Sequence, residues 1–278
     1  MKIITSCEDM KVHAQSIKDQ NKIISEIDTY GDLHQGHLDL IREAKKHSDH
    51  IILTVDGTTN YTSDEVITEA DKEVYRKTLL SIDIKFCEDA QVDTFCYYPN
   101  KDFWGYHDVS QASDTFKKFM SRPFVEFIMK IWPKQLEACK ADVAVMGQKD
   151  FYYEVLIKHF IKEAGLPTKT ISIPIHRDQD GLPTSSRNKH LSAGQRRRAA
   201  HVCKQLQDIS SWSSPSTKEI KNYLRLAAKN ARCFLPKVDI CSLTTLEPVT
   251  QVNQATVISI IILVGEIFIQ DNIVVKPK

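Results

Sequence analysis

Three short polar clusters in this chain carry groups able to grip an anion: His34-Gln35-Gly36-His37, Lys149-Asp150 and Ser185-Ser186-Arg187. Between them they supply two imidazoles, an ammonium, two hydroxyls and a guanidinium. Two histidines three residues apart on one helical turn can face the same anion. A helix that begins there adds first-turn N–H groups and the positive end of its dipole, which suit a phosphate. Taken singly, the histidine pair reads equally well as surface histidines beside a turn, while Lys149-Asp150 reads better as a surface turn and Ser185-Ser186-Arg187 as a solvated loop, because short motifs match by chance. Their shared position, each just after a predicted strand, makes them an inventory for holding a triphosphate. In an open parallel sheet the strand C-termini border one crevice, and ligands bind in it.

The elements that must position these groups can be read from hydrophobic periodicity. The segment 22–27 reads as a strand, with Glu26 an odd guest if that strand is central. Leu38, Ile41 and Ala44 recur at spacings of three behind the histidines, as in a half-buried helix. Residues 51–55 form an apolar strand pattern, so a strand, a helix and a second strand make a βαβ unit and favour a parallel sheet. A surface helix is expected over 9–20 and another helix over 64–80. The alternation Ile82-Asp83-Ile84-Lys85-Phe86 reads as a strand. The stretch 114–139 reads as helical but broken by Pro123 and Pro133. A strand then runs from 141 into the turn at Gly147, followed by a helix over 152–165, a strand over 170–175 and a polar loop over 177–188. Two helices, 192–208 and 216–231, and strands at 238–241, 256–264 and 267–275 complete the chain. The expected fold is α/β: a doubly wound, Rossmann-like parallel sheet of the H-x-G-H nucleotidyltransferase type, followed by a small α+β domain. The domains are placed at 1–176, binding nucleotide, and 177–278.

Composition narrows the classes. The 278 residues are 42% apolar and 26% charged, ordinary for a globular protein with a sizeable core, and the net charge is +1. Nothing in that balance calls for nucleic acid or an anionic membrane, and the run Arg196-Arg197-Arg198 reads as a solvated helix face. The seven cysteines are odd in number and contain no C-x-x-C pair, so neither a disulfide framework nor a zinc site is indicated, and reduced thiols in a cytoplasmic protein are expected. The long apolar run 255–269 contains Gly265 and Glu266 and is rich in β-branched residues, as a buried strand would be.

At this point the motifs resemble those of a known family. Asp28-Thr29-Tyr30-Gly31-Asp32-Leu33-His34-Gln35-Gly36-His37 is similar to the P-T-M-G-x-L-H-x-G-H signature of pantothenate synthetases (pantoate–β-alanine ligases). Met146-Gly147-Gln148-Lys149-Asp150 resembles their F-G-x-K-D, and Asp180-Gly181-Leu182-Pro183-Thr184-Ser185-Ser186-Arg187-Asn188 their D-G-L-x-x-S-S-R-N. Ser121-Arg122-Pro123 resembles the start of R-P-G-H-F. The likeness spans the whole chain, in order and spacing. It implies an ATP-dependent ligase in which a small carboxylic acid attacks the α-phosphorus of ATP, and an amine such as β-alanine then displaces AMP from the acyl-adenylate. By position, His34, His37, Lys149, Ser185, Ser186 and Arg187 would carry the phosphate chemistry. Thr29, Gly36, Gly147, Asp150, His176 and Thr184 would line the nucleotide site. Mg²⁺, held chiefly by the ATP phosphates, would have Glu73 nearby, and a homodimer is implied.

The departures fall on the acid pocket. The V-N-P-x-Q-F motif of the family is replaced by Val55-Asp56-Gly57-Thr58-Thr59-Asn60-Tyr61, and the second pocket glutamine by Tyr153. Tyr30 stands for a methionine, and no histidine follows Pro123 as in R-P-G-H-F. Tyr30, Asn60, Tyr61, Arg122 and Tyr153 would therefore line a rebuilt pocket, and loss of both amides shifts acid discrimination strongly. His176 replaces an apolar residue beside the base. Two other readings stay open: an H-x-G-H nucleotidyltransferase that stops at the activated product, and an inactive paralogue that keeps the fold.

Overall fold

The structure is a computed structural model and describes residues 1–56, 69–98 and 122–276, with the backbone alone at 69–76 and 122–130. The chain divides into two compact units, Met1–Pro174 and Ile175–Lys278.

The first unit is a six-stranded, all-parallel sheet, β1 (Lys2–Ile4), β2 (Ile24–Thr29), β3 (His50–Asp56), β4 (Thr94–Tyr98), β5 (Val143–Gly147) and β6 (Lys169–Ile173), in the order β1-β4-β3-β2-β5-β6. The helices are α1 (Cys7–Lys18), α2 (Gln35–Ala44), α3 (Glu69–Asp89), α4 (Arg122–Cys139) and α5 (Phe151–Glu163). From β2 the chain winds outward one way through β3 and β4, then returns to place β5 on the other side of β2. The switch point is thus at the carboxyl ends of β2 and β5, where such folds open a crevice. One face of β2 packs Ile27 with Leu40, Ile41, Leu79 and Cys87 of α2 and α3. The other carries Glu26 and Asp28 towards Trp132 and Gln135 of α4.

Two expectations are corrected here. Residues 82–86 are helical, inside α3, and not a strand. The buried positions are Leu79, Asp83 and Cys87, four apart, whereas Ile82 is exposed. The apparent alternation arose because the buried face holds an aspartate, which masks the helical period. Nor do the prolines break α4: Pro123 lies in its first turn, where the missing N–H is an orphan anyway, and the helix continues through Pro133 to Cys139. Burial of Ile131, Trp132, Leu136 and Cys139 anchors the segment on both sides of Pro133. The edge strand β1 escaped the sequence reading because it is three residues long and pairs only with β4.

The second unit is an antiparallel sheet of β7 (Phe234–Ser242), β8 (Thr256–Val264) and β9 (Ile267–Val275), with α6 (Ala193–Asp208) and α7 (Thr217–Asn230). Both helices begin with serine capping boxes, Ser192/Gln195 and Ser216/Glu219. Their apolar faces bury Val202, Leu206, Ile220 and Leu224 against Ile258, Ile260 and Ile262. Arg196 is not a merely solvated charge: its guanidinium pairs with Asp178 at 2.6 Å and Asp180 at 2.7 Å. Arg177 makes a bidentate pair with the fully buried Asp271, at 2.9 and 2.8 Å. Removing one partner of such a pair strands the other charge, so Arg177→Ala is expected to destabilise this unit by about 3–5 kcal/mol. Urea denaturation followed by circular dichroism checks this, and a loss below about 1 kcal/mol would contradict it.

All seven cysteines are free thiols. Among the described residues no helix is long and apolar enough to cross a membrane.

Candidate active site

At the carboxyl end of β2 the chain turns through Gly31 and Asp32, both at positive φ, and enters α2 with His34 as its N-cap. The turn is held from α3: the buried Asp83 carboxylate accepts the Asp32 N–H at 2.9 Å and the Leu33 N–H at 2.8 Å. Sequence reasoning missed this positioning residue because 82–86 read as a strand. Thr29, assigned to the nucleotide, donates its hydroxyl to the Thr54 carbonyl at 2.9 Å and so ties β2 to β3.

The two histidines cap their own helix. His34 Nδ1 accepts the Gly36 N–H at 3.2 Å, and His37 Nδ1 accepts the His34 N–H at 3.0 Å. A neutral imidazole that accepts through Nδ1 must carry its proton on Nε2, so both rings present an Nε2–H donor. The rings lie 4.1 Å apart at 33°. Burial, then His34, then the Lys149 ammonium hold the His37 pKa well below the usual imidazole range, so it is a neutral donor at neutral pH. Lys149 and Asp150 follow β5 in a single 3₁₀ turn that leads into α5. The structure therefore brings His34, His37 and Lys149 together at the switch point.

Gly147 ends β5 with φ −96° and ψ 135°, and among the described residues a Cβ there would meet nothing within 4 Å. Among the described residues, neither backbone conformation nor packing demands glycine at 147. The open space, the donor-only set beside it and the α2 N-terminus fit a nucleotide's phosphates and ribose.

The same end of the sheet also carries an acidic and aromatic cluster. The half-buried Asp28 accepts at Oδ1 from Thr54 Oγ1 (2.9 Å), Tyr98 OH (3.0 Å) and Gln135 Nε2 (3.1 Å). At Oδ2 it accepts from Trp132 Nε1 (2.9 Å) and Tyr153 OH (2.8 Å). Trp132 and Tyr153 meet edge to face, with centroids 5.7 Å apart. Glu26, fully buried one pleat back, accepts from Gln135 Nε2 at 2.6 Å, and burial, reinforced by Asp28, pushes its pKa up to about 8. Among the described residues the buried Tyr30 hydroxyl has no partner; burial, Asp28, Asp150 and Asp56 raise its pKa well above the usual phenol value. Of the expected acid-pocket residues, Tyr30 and Tyr153 are thus gathered around Asp28. Asn60 and Tyr61 lie outside the described residues, as do the side chains of Arg122 and Glu73. Asp28, Tyr98, Trp132 and Gln135 were not singled out from sequence, although Asp28 in place of the proline of P-T-M-G was a visible signal. Among the described residues no three His, Cys, Asp or Glu side chains converge to hold a metal ion.

His176, Thr184, Ser185, Ser186 and Arg187 belong to the second unit. Thr184 N–H donates to the His176 carbonyl at 2.9 Å, and Thr184 Oγ1 to Asp178 at 2.5 Å. Ser185 caps the 3₁₀ turn Ser186–His190 through the Arg187 N–H, and Asn188 donates to the Pro183 carbonyl at 2.9 Å. With Leu182 fully buried below it, this loop is a built turn that holds the exposed Arg187 at its surface.

The family model for pantoate-beta-alanine ligase matches residues 2–274. A pantoate–beta-alanine ligase of Schizosaccharomyces pombe is 28% identical over 265 residues, covering 92% of this chain and 92% of that protein. The solved pantothenate synthetase of Thermus thermophilus superposes with a TM-score of 0.81 at 17% identity, covering 100% of both chains. A pantoate-beta-alanine ligase of Francisella tularensis, solved with beta-gamma ATP and beta-alanine, has a TM-score of 0.72 at 23% identity, covering 99% of this chain and 97% of that one. At these identities the structural likenesses establish the fold.

Proposed function

The chain belongs to the pantoate-beta-alanine ligase family, and from that premise we propose that it joins a small carboxylic acid to an amine by way of an acyl-adenylate, consuming ATP and releasing pyrophosphate and AMP. The observation that carries this reading is the pair of Nε2–H donors beside Lys149 at the switch point, all within the first unit.

In the first step an oxygen of the acid's carboxylate bonds to the α-phosphorus while the bond to the bridging oxygen of pyrophosphate breaks. His34 and His37, neutral and fixed by their Nδ1 bonds, donate to phosphate oxygens as negative charge gathers there. Lys149 clamps a phosphate oxygen with a full positive charge, while Gly147 and Asp150 meet the ribose. Thr29, Gly36, His176 and Thr184 complete the nucleotide side. Ser185, Ser186 and Arg187 take the β/γ end and the departing pyrophosphate. In the second step the amine bonds to the acyl carbon, AMP leaves, and a proton is lost to give the amide. No side chain forms a covalent bond; the work is orientation and electrostatic stabilisation. Mg²⁺, if bound, would supply charge neutralisation for the phosphates and the departing pyrophosphate, with Glu73 as the residue proposed to lie near it. We extend the proposal to a homodimer in the cytoplasm, with residues 1–176 as the nucleotide-binding domain.

The test is pyrophosphate release from ATP and from CTP across a panel of small acids, with and without amines, and detection of the amide by mass spectrometry. An amide with ATP is expected. A nucleotidyl product that accumulates unchanged when amines are present would favour a transferase instead. Lys149→Ala is expected to lower pyrophosphate release by about 10²-fold or more, because a charge-bearing donor is lost from the site. Full activity in that variant would remove Lys149 from the mechanism.

A further inference from the structure

Resting on the reading of Ser185, Ser186 and Arg187 as the grip on the β/γ phosphates, we propose that Arg196 is a positioning residue for that grip. Its guanidinium locks the hairpin 176–184, and the hairpin fixes where the adjoining turn presents its donors.

The hairpin's backbone closes through short-range bonds. Arg177 and Pro183 form an antiparallel bridge, and the Asp178 N–H donates to the Leu182 carbonyl at 2.9 Å. Gly181, at φ +84°, donates to the Asp178 carbonyl at 2.8 Å, and the Thr184 N–H closes on the His176 carbonyl. A ladder this small is marginal by itself, so side chains must hold it. Asp178 and Asp180 place two like charges in one turn, and Arg196 answers both. Its Nη2 donates to Asp178 Oδ2 at 2.6 Å and to Asp180 Oδ1 at 3.1 Å, and its Nε donates to Asp180 Oδ2 at 2.7 Å. The other Asp178 oxygen accepts the Thr184 hydroxyl at 2.5 Å. One guanidinium is thus linked, through one carboxylate, to the residue beside Ser185. The Ser185 hydroxyl in turn accepts the Arg187 N–H at 3.3 Å.

Arg196 is itself a fixed post. Its N–H donates to the Ser192 carbonyl at 2.8 Å, one residue after the Ser192/Gln195 capping box that starts α6. Gln195 packs on the turn between β8 and β9, where a Cβ on Gly265 would lie 2.6 Å from its Nε2. Ala199 and Ala200 bury the next turn of the helix. Arg177 also holds the hairpin, through the Gly181 carbonyl at 3.1 Å, but its pair with Asp271 is buried and serves the fold. The Arg196 pairs are half-exposed, so little global stability rests on them. What they supply is geometry: a planar fork reaches two carboxylates at once, which a lysine ammonium does not reproduce. Without it Asp178 and Asp180 repel each other in the loop that has to receive a polyanion.

The test reads phosphate affinity on the full chain. Calorimetric titration measures binding of inorganic pyrophosphate, and amide formation gives kcat and the KM for ATP. Arg196→Gln should weaken pyrophosphate binding by about 10-fold and raise the KM for ATP to match. Its kcat should stay near wild type, because contacts to the β/γ end are made before and during the reaction alike. A merely structural role would lower kcat through lost active chain and leave KM where it was. Arg196→Lys keeps the charge without the fork and should fall between the two. Asp178→Asn should shift KM in the same direction, and it decides the matter if Arg196→Gln does not fold. In Arg187→Ala the presented donor is gone, so adding Arg196→Gln should cost at most about 3-fold more. Full additivity in that cycle, wild-type pyrophosphate affinity in Arg196→Gln, or a loss confined to kcat overturns the proposal. Pyrophosphate binding that follows the cycle in a chain that forms no amide with any acid sinks the ligase reading and sustains the clamp. Amide formation by wild type alongside an unmoved KM in Arg196→Gln does the reverse. A wild-type chain that binds neither pyrophosphate nor ATP overturns both.

Discussion

Replacing His37 with alanine is expected to lower pyrophosphate release by about 10²–10³-fold, the usual effect of deleting one preorganised donor to developing negative charge. The fall should appear in kcat more than in the KM for ATP, because the lost bond strengthens as charge accumulates on the phosphate oxygens. The ring also accepts the His34 N–H, so the variant forfeits a capping interaction worth about 1 kcal/mol, too little to unfold a helix whose Leu40, Ile41 and Ala44 are buried. Circular dichroism and ATP titration should therefore be close to wild type while turnover collapses. Because the His37 pKa is already depressed, no activity limb between pH 6.5 and 8 should trace to its protonation. Normal turnover in His37→Ala would contradict the assignment.

The second large effect is on stability against pH. Glu26 has its pKa raised from 4.5 to about 8 in the folded chain, chiefly by burial. Between those values the folded state holds a proton that the unfolded state has lost, so this group makes unfolding easier as pH rises from 4.5 to 8. His37, His13 and His50 act in the opposite sense. Their folded pKa values lie below 6.5, so the unfolded state binds protons first and stability is lost as pH falls below 6.5. The wild-type chain should thus be most stable near pH 6.5 and weaken towards pH 8. Glu26→Gln is expected to remove the loss of stability between pH 6.5 and 8, a difference of about 2 kcal/mol, since each pKa unit is about 1.4 kcal/mol. Urea denaturation at several pH values checks the slope. An unchanged alkaline limb in Glu26→Gln would show that another group carries it.

Much of the architecture was legible residue by residue. Strands 256–264 and 267–275 coincide with β8 and β9, because continuous β-branched runs leave little choice of period or boundary. The helices after Ser192 and Ser216 were equally plain, since capping serines and amphipathic spacing agree. Glu26 stood out as a misfit in a central strand, and the structure explains it: Gln135 donates to its Oε1 and burial raises its pKa to about 8. Two of the errors share a cause. Asp83 on a buried helix face and Pro133 within α4 both look like breaks in a pattern, and both are sustained by partners distant in the chain.

The order of elements, the parallel sheet and the three polar clusters after strands followed from local spacing alone, because periodicity and turn chemistry act between residues a few positions apart. That Asp83 holds the turn before His34, and that Tyr98, Trp132, Gln135 and Tyr153 close on Asp28, were decided only by tertiary structure. Those bonds join residues 51 to 125 positions apart. No short-range rule selects one donor among many for a given buried carboxylate. That choice is made when the sheet's strand order brings β2, β4, α4 and α5 to one end.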